Sequence, residues 1–168
     1  AGHWWAVSLK EGIASKPVEF WDFHFEEPVN TASEDEYIEE LDRLFQQAVR
    51  RQLVSDVEVG AYLSGGMDSG SITAIAAREI PNIKSFTCGF DLHGVSELEY
   101  GFDEREQAEY MSHLFQTEHY EVVLKAGDME RCLPEFTRHL EEPRVGQSYP
   151  NWYVAKLASK FVKVVLAG

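Results

Sequence analysis

Leu63-Ser64-Gly65-Gly66-Met67-Asp68-Ser69 decides how the rest of this chain is read. It follows an apolar run, Val57 to Leu63, and it precedes Gly70-Ser71-Ile72-Thr73-Ala74-Ile75-Ala76-Ala77, whose small and apolar residues suit a helix. A strand that turns through two glycines into a helix opens a βα unit. Adjacent glycines let the backbone take left-handed or tightly turned angles and approach a ligand with no Cβ in the way. The loop amides, with the orphan amides of the following helix and its dipole, favour an anion. Ser64, Ser69 and Ser71 can add hydroxyl donors to phosphate oxygens. Asp68 would repel a phosphate directly but is well placed if Mg²⁺ lies between the two. No lysine follows the glycines, so this is not the Gly-Lys-Ser/Thr nucleoside-triphosphatase loop, and the glycine spacing differs from the dinucleotide fingerprint. A plain strand-to-helix turn, with Gly-Gly for geometry and Asp68-Ser69 as a capping pair, would use the same residues.

Downstream of the loop, short apolar runs alternate with helical patterns, which predicts a parallel sheet. Strands are expected at Val57 to Leu63, Ile83 to Phe90, His119 to Leu124 and Val162 to Ala167, and helices at Ser69 to Glu79, Asp103 to Gln116, Asp128 to His139 and Asn151 to Lys160. Asp91 to Gly101 reads as a long polar loop. Upstream, Ser33 with Glu36 three positions on is a capping-box signature. Tyr37, Ile38, Leu41, Leu44, Phe45, Ala48, Val49 and Leu53 then recur at helical spacing, so one stripe of this helix should pack on the sheet. Trp4 to Leu9 and Val18 to Phe25 read as a pair of strands, or a strand and an extended arm, and make a poor domain by themselves. The chain opens abruptly in that strand-like pattern and closes on an apolar strand at Gly168, where a further turn is expected.

The 168 residues carry 29 acidic side chains against 15 Lys and Arg, a formal net charge of −14. That balance offers no electrostatic footprint for nucleic acid or an anionic membrane surface. Cys88 and Cys132 stand far apart without partners at metal-ligand spacing, so neither a disulfide framework nor a zinc cluster is signalled. No apolar run approaches the roughly 18 to 20 residues of a membrane span. A soluble protein in a reducing, cytoplasmic setting is expected.

Leu63 to Ser69 resembles the pyrophosphate loop of the N-type ATP pyrophosphatases, and its surroundings resemble the asparagine synthetases in particular. Arg50 to Ala61 looks like the lead-in to that loop, Ser85 to Phe90 like the second strand, and Phe102-Asp103-Glu104 with Ala108 and Glu118-His119 like the next unit. Glu141-Glu142-Pro143 looks like a later acidic turn, and Gly2-His3 with Trp21-Asp22 like the tail of a preceding glutaminase domain and its linker. The resemblance implies an α/β fold of the adenine nucleotide α-hydrolase-like, Rossmann-like kind, an open parallel sheet with helices on both faces, truncated here. Residues 1–30 would be the glutaminase tail and linker, and 31–168 the N-terminal part of the synthetase domain. Ser64, Gly65, Gly66, Asp68 and Ser69 would hold pyrophosphate and Mg²⁺, with Asp68 as metal ligand and catalytic carboxylate. The backbones of Leu63 and Cys88 would border the adenosine of ATP, and Ala167 and Gly168 would close its far side. The reaction implied is synthesis of asparagine from aspartate through an aspartyl-adenylate, with AMP and pyrophosphate released. Ammonia would come from glutamine through the glutaminase domain of the same full-length chain, and the resemblance leaves room for a homodimer.

Three departures qualify that transfer. Gly70 stands where the family usually has a small hydroxyl residue. Arg144 to Pro150 differ from the asparagine synthetase pattern, which admits another carboxylic acid as substrate, as in β-lactam synthetases. An acidic Gly-Gly-Asp-Glu-like loop is expected beyond Gly168 to complete the metal site, and the catalytic amino-terminal cysteine of a glutaminase is not in the chain, so the fragment alone is expected to be inactive. A non-catalytic nucleotide-binding module is the alternative of a different class. Asp103 and Glu104 also suit an ordinary helix start, and Glu141 and Glu142 a solvated acidic turn. His119 and His139 read as sheet-edge and helix-end residues that form no triad.

Overall fold

A computed structural model describes residues 2–12, 14–26, 32–92, 103–141 and 148–168. In chain order the elements are β1 (His3–Trp4), β2 (Val18–Glu19), α1 (Glu34–Gln52), β3 (Val59–Tyr62), α2 (Met67–Glu79), β4 (Lys84–Phe90), α3 (Arg105–Phe115), β5 (Glu118–Leu124), α4 (Asp128–Leu140), α5 (Ser148–Ala158) and β6 (Val164–Leu166). The chain divides into two compact units, residues 1–38 and 39–168.

In the first unit β1 pairs antiparallel with β2, His3 opposite Glu19 and Trp4 opposite Val18, and an isolated bridge joins Val7 to Ala14. The predicted strand pair is therefore present but far shorter than its aromatic runs. Its rings meet one another, Trp21 with Phe23 at 4.5 Å and Phe23 with Phe25 at 5.7 Å between centroids, and all three stay exposed.

The second unit holds the expected sheet. Its four described strands run parallel in the order β5-β4-β3-β6. Period-2 alternation assigns the faces. On one side Phe86 packs with Val154, Ala158 and Val162, joined by Tyr62, Cys88, Tyr120 and Val122, so α5 covers this face. On the other, Ile75, Ala76 and Ile83 pack with Val49 of α1 and with Leu166. Gly60 marks where the layers close most tightly: a Cβ there would lie 2.7 Å from the Phe86 ring and 3.0 Å from the Lys84 carbonyl oxygen.

The predicted elements recur with shifted ends. Helix α2 starts at Met67 rather than Ser69, because Gly66 itself is the extended N-cap residue. Helix α5 starts at Ser148, ahead of the expected Asn151, since Pro150 falls in a first turn where its missing N–H has no carbonyl to serve. The last strand is only Val164–Leu166; Val162 donates its amide to Ala158 at 2.9 Å, extending the end of α5. The capping box of α1 is present: Glu36 accepts from the Ser33 amide at 2.8 Å, and the Glu36 amide donates to Ser33 Oγ at 3.3 Å.

One expectation is corrected. The apolar stripe of α1 does not lie along the sheet as a whole. Phe45, Val49 and Leu53 join the cluster around α2, while Leu41 and Leu44 remain 68% and 46% exposed. Helix α2 already covers that part of the sheet, so the carboxyl half of α1 packs beside it. The polar loop expected at 91–101 and the turn at 142–147 fall mostly outside the described residues, as do Phe102, Glu142 and Arg144.

Candidate functional site

From β3 the chain steps to β4 and β5 on one side and returns to β6 on the other. The strand order reverses at β3, and in open α/β sheets the crevice outside the carboxyl ends at such a reversal is where ligands bind. A cavity of about 480 Å³ lies there. Its lining includes Leu63, Ser64 and Ser69 of the glycine loop, Cys88 and Phe90 of β4, Glu104 before α3, Pro150, Asn151 and Val154 of α5, and Ala167 and Gly168 after β6. Six of the nine nucleotide-site residues singled out from the sequence thus share one crevice. Gly65, Gly66 and Asp68 belong to the same loop and turn but not to that lining.

The loop is held by its own hydroxyls. Ser64 Oγ and Ser69 Oγ lie 2.9 Å apart, the Ser64 amide donates to Ser69 Oγ at 3.1 Å, and the Gly66 amide donates to Ser64 Oγ at 3.1 Å. Leu63 is tied on both sides, its amide to the Phe86 carbonyl at 3.0 Å and its carbonyl to the Thr87 hydroxyl. Two expectations change accordingly. The Ser64 and Ser69 hydroxyls are engaged within the loop, so they shape the cradle before any ligand arrives. Neither Gly65 nor Gly66 takes a positive φ. Gly65 is small because a Cβ there would sit 2.8 Å from Gln107 Cβ, so the loop lies flush on α3. At Gly70 a Cβ would lie 3.0 Å from Met111 Sδ, the flexible end of a side chain that can shift.

Helix α2 begins without a side-chain cap, so Asp68-Ser69 is not a capping pair. Its first internal bond runs from the Gly70 amide to the Gly66 carbonyl at 3.1 Å. The amides of Met67, Asp68 and Ser69 therefore lack helical carbonyls and carry the positive end of the dipole at the crevice edge. Gly168 closes on this turn, where its Cβ would come 2.9 Å from the Ser69 nitrogen and 3.1 Å from Asp68 Cβ. The Asp68 side chain is exposed. Among the described residues no group of three or more His, Cys, Asp or Glu could hold a metal. One carboxylate beside an anion cradle fits a hard divalent cation shared with a phosphate ligand rather than one enclosed by protein.

Burial, then the charge of Asp103, pushes the Cys88 thiol up to about 11, so the thiol stays protonated at neutral pH. Asp103 itself is held below the usual carboxylate range by the Arg105 guanidinium, which it receives in a fork: Nε to both carboxylate oxygens at 2.9 Å and Nη2 to Oδ2 at 2.6 Å. Glu104 and Asn151 also line the crevice, and the sequence marks them by position alone: each lies in or beside the first turn of a helix that starts at the carboxyl edge of the sheet.

His119 lies in β5, at one edge of the described sheet, and faces away from this crevice. Its Nδ1 is 2.8 Å from Ser85 Oγ, which also meets Thr117 Oγ1 at 2.7 Å, and its Nε2 is 3.3 Å from Glu121 Oε1. The three side chains lie close together, but His119 Nε2 makes no geometrically sound hydrogen bond to Glu121, and Ser85 is 0% exposed. His139 stacks on Trp152 at 5.1 Å, and Glu141 ends α4 with a positive φ of 61°.

The parallel sheet, its helices and the reversal point together define an α/β protein of the doubly wound kind with a crevice at the strand ends. Among such proteins the chain belongs to the asparagine synthase family, whose model matches residues 40–168. It is 33% identical over 142 residues to a putative glutamine-hydrolysing asparagine synthetase of Mycobacterium tuberculosis, covering 84% of this chain and 21% of that one. It is 32% identical over 142 residues to the glutamine-hydrolysing asparagine synthetase 1 of Bacillus subtilis, with the same 84% and 21%. The chain thus spans about a fifth of the length of these relatives. Among solved structures, that of an NMN synthetase from Francisella tularensis matches with a TM-score of 0.44 at 14% identity, over 80% of this chain and 54% of that one. Among the described residues no helix is long and apolar enough to cross a membrane.

Proposed function

We propose that this chain is the nucleotide-binding front of a synthetase domain that makes an amide from a carboxylic acid, aspartate in the first instance, at the expense of ATP. The observation that carries the reading is the meeting of Ser64, Ser69, Cys88, Ala167 and Gly168 in one crevice at the strand-order reversal. The triphosphate would lie on the loop and on the free amides of α2, and the adenosine between Cys88 and Ala167 over an apolar floor of Phe86 and Val154. An aspartate carboxylate oxygen attacks the α-phosphorus, the bond to the β-phosphate oxygen breaks, and pyrophosphate leaves. Ammonia then attacks the acyl carbon, AMP departs with the former carboxylate oxygen, and the nitrogen loses a proton, leaving asparagine.

Negative charge grows on the leaving pyrophosphate, so amides fixed in advance along Gly65 to Ser69 stabilise the transition state more than the ground state. Mg²⁺, held by Asp68, would supply further charge neutralisation there. Residues 1–30 are proposed as the tail of a glutaminase domain that releases ammonia from glutamine, and 31–168 as the synthetase portion, working in the cytoplasm. Exchange of labelled pyrophosphate into ATP, run on the natural polypeptide that carries this segment with a panel of carboxylic acids, tests the reading. Exchange that depends on aspartate is the expected result. Exchange with a different acid moves the substrate, and none with any acid overturns the synthetase assignment.

A further inference from the structure

Arg105 does not line the crevice, yet two of its walls depend on it. Its Nη2 donates to the Phe90 carbonyl at 3.0 Å, at the end of β4. Its aliphatic stem crosses Gly89 so closely that a Cβ there would lie 2.3 Å from Arg105 Cδ. Asp103 grips the guanidinium from the other side and also receives the Arg105 amide at 3.3 Å. The side chains of Asp103 and Arg105 are 11% and 29% exposed, so the pair is only partly screened by water. The first turn of α3 is thereby latched to the carboxyl end of β4.

That same turn supports the anion loop. Glu104, the N-cap residue of α3, and Gln107 and Met111 within it lie at helical spacing and face Gly65 and Gly70: a Cβ on Gly65 would press on Gln107 and touch Glu104, and one on Gly70 would press on Met111. Phe90 and Glu104 both line the crevice. One guanidinium therefore fixes the β4 wall and the platform on which Ser64 to Ser69 rests.

We propose that Arg105 is a positioning residue for nucleotide binding: its Asp103-locked fork clamps α3 to the end of β4 and so holds the glycine loop at the separation from the β4 wall that a nucleotide needs. The inference rests on the nucleotide reading above. A planar fork is required because Nε and Nη2 must serve Asp103 while Nη2 also reaches Phe90, a geometry that a lysine ammonium on its flexible stem does not reproduce. Small displacements of such a platform are costly, since a misplacement of about 1 Å lowers rates by roughly a hundredfold.

The test measures ATP affinity by calorimetry and melting temperature on the natural polypeptide that carries this segment, for R105Q, R105K, G89A and the double variant G89A/R105Q. G89A reaches the same latch from the opposite side by displacing the arginine stem. R105Q and G89A should each weaken ATP binding about tenfold, R105K should not rescue, and the double variant should bind no more weakly than the worse single one, as for two changes acting through one contact. If R105Q does not fold, G89A alone decides. Variants that melt lower but bind ATP like the wild type would show a merely structural role and overturn the proposal, and so would losses that multiply in the double variant. A wild type that binds no ATP removes the nucleotide reading and this inference together. Wild-type binding with unaffected variants removes this inference alone.

Discussion

At the scale of single residues, the glycines of the site are explained by what a methyl group would strike rather than by backbone angles. A Cβ on Gly65 would meet Gln107 Cβ at 2.8 Å, an atom fixed to the backbone of α3, and neither side can rotate away. Gly65→Ala should therefore destabilise by about 1–3 kcal/mol, the usual cost of overpacking, read as a lower urea midpoint at unchanged m-value. Gly70→Ala is the instructive contrast. Its new methyl would meet the sulfur of Met111 at 3.0 Å, the flexible part of a side chain that can shift, and alanine is favoured over glycine in a helix by up to about 1 kcal/mol. That variant should be neutral or slightly more stable by the same measurement, and a cost as large as for Gly65→Ala would contradict this account.

At the scale of elements, β5 carries an internal pH dependence. His119 is held below the ordinary histidine value, first by burial, against the opposing influence of Glu121 on its own strand and Glu109 on α3. The imidazole is therefore neutral in the folded chain at neutral pH, accepting or donating at Ser85. The unfolded chain takes up a proton at about 6.5 while the folded one does not, so this contribution to stability is complete above that pH and is lost as pH falls through it toward the folded value. Urea midpoints at pH 7.5 and 5.5 should differ, with the lower pH less stable, and the difference should shrink in His119→Gln. A midpoint unchanged across that window in the wild type would refute the placement of His119. Helix α1 teaches the complementary lesson. Its period was plain and its capping box formed as read, but periodicity names the apolar face without naming what covers it, and α2 had already taken the sheet.

At the scale of the whole molecule, the buried hydrophobic residues among those described all fall between Val49 and Val162, and the division into two units falls at residues 38 and 39. Nothing described in residues 2–26 is buried, although Trp4, Trp5, Phe20, Trp21, Phe23 and Phe25 are among them. Removing residues 1–32, which leaves the Ser33 cap on α1, should thus preserve cooperative unfolding of the remainder. Its melting temperature should stay within about 2 °C of the parent, the range expected when less than about 0.5 kcal/mol is lost. A collapse of cooperativity would show that the amino-terminal segment contributes to the core.

The path from β3 through Leu63 to Ser69 into α2 was legible in the sequence because its signals are local: apolar alternation, two glycines, and a following run of small and apolar residues that suits a helix. The order of the βα units followed from the same local periodicities, as did the amide-rich helix start that suits an anion. The resemblance already expected Ala167 and Gly168 beside the loop, but the tertiary structure decided the means: β6 returns beside β3 and brings them onto the turn at Asp68. Tertiary structure alone placed Gln107 under Gly65 and the Arg105 stem across Gly89. Those contacts join residues distant along the chain, and their cause is steric and geometric: a missing methyl and a guanidinium fork have meaning only against the surface that another element brings to them.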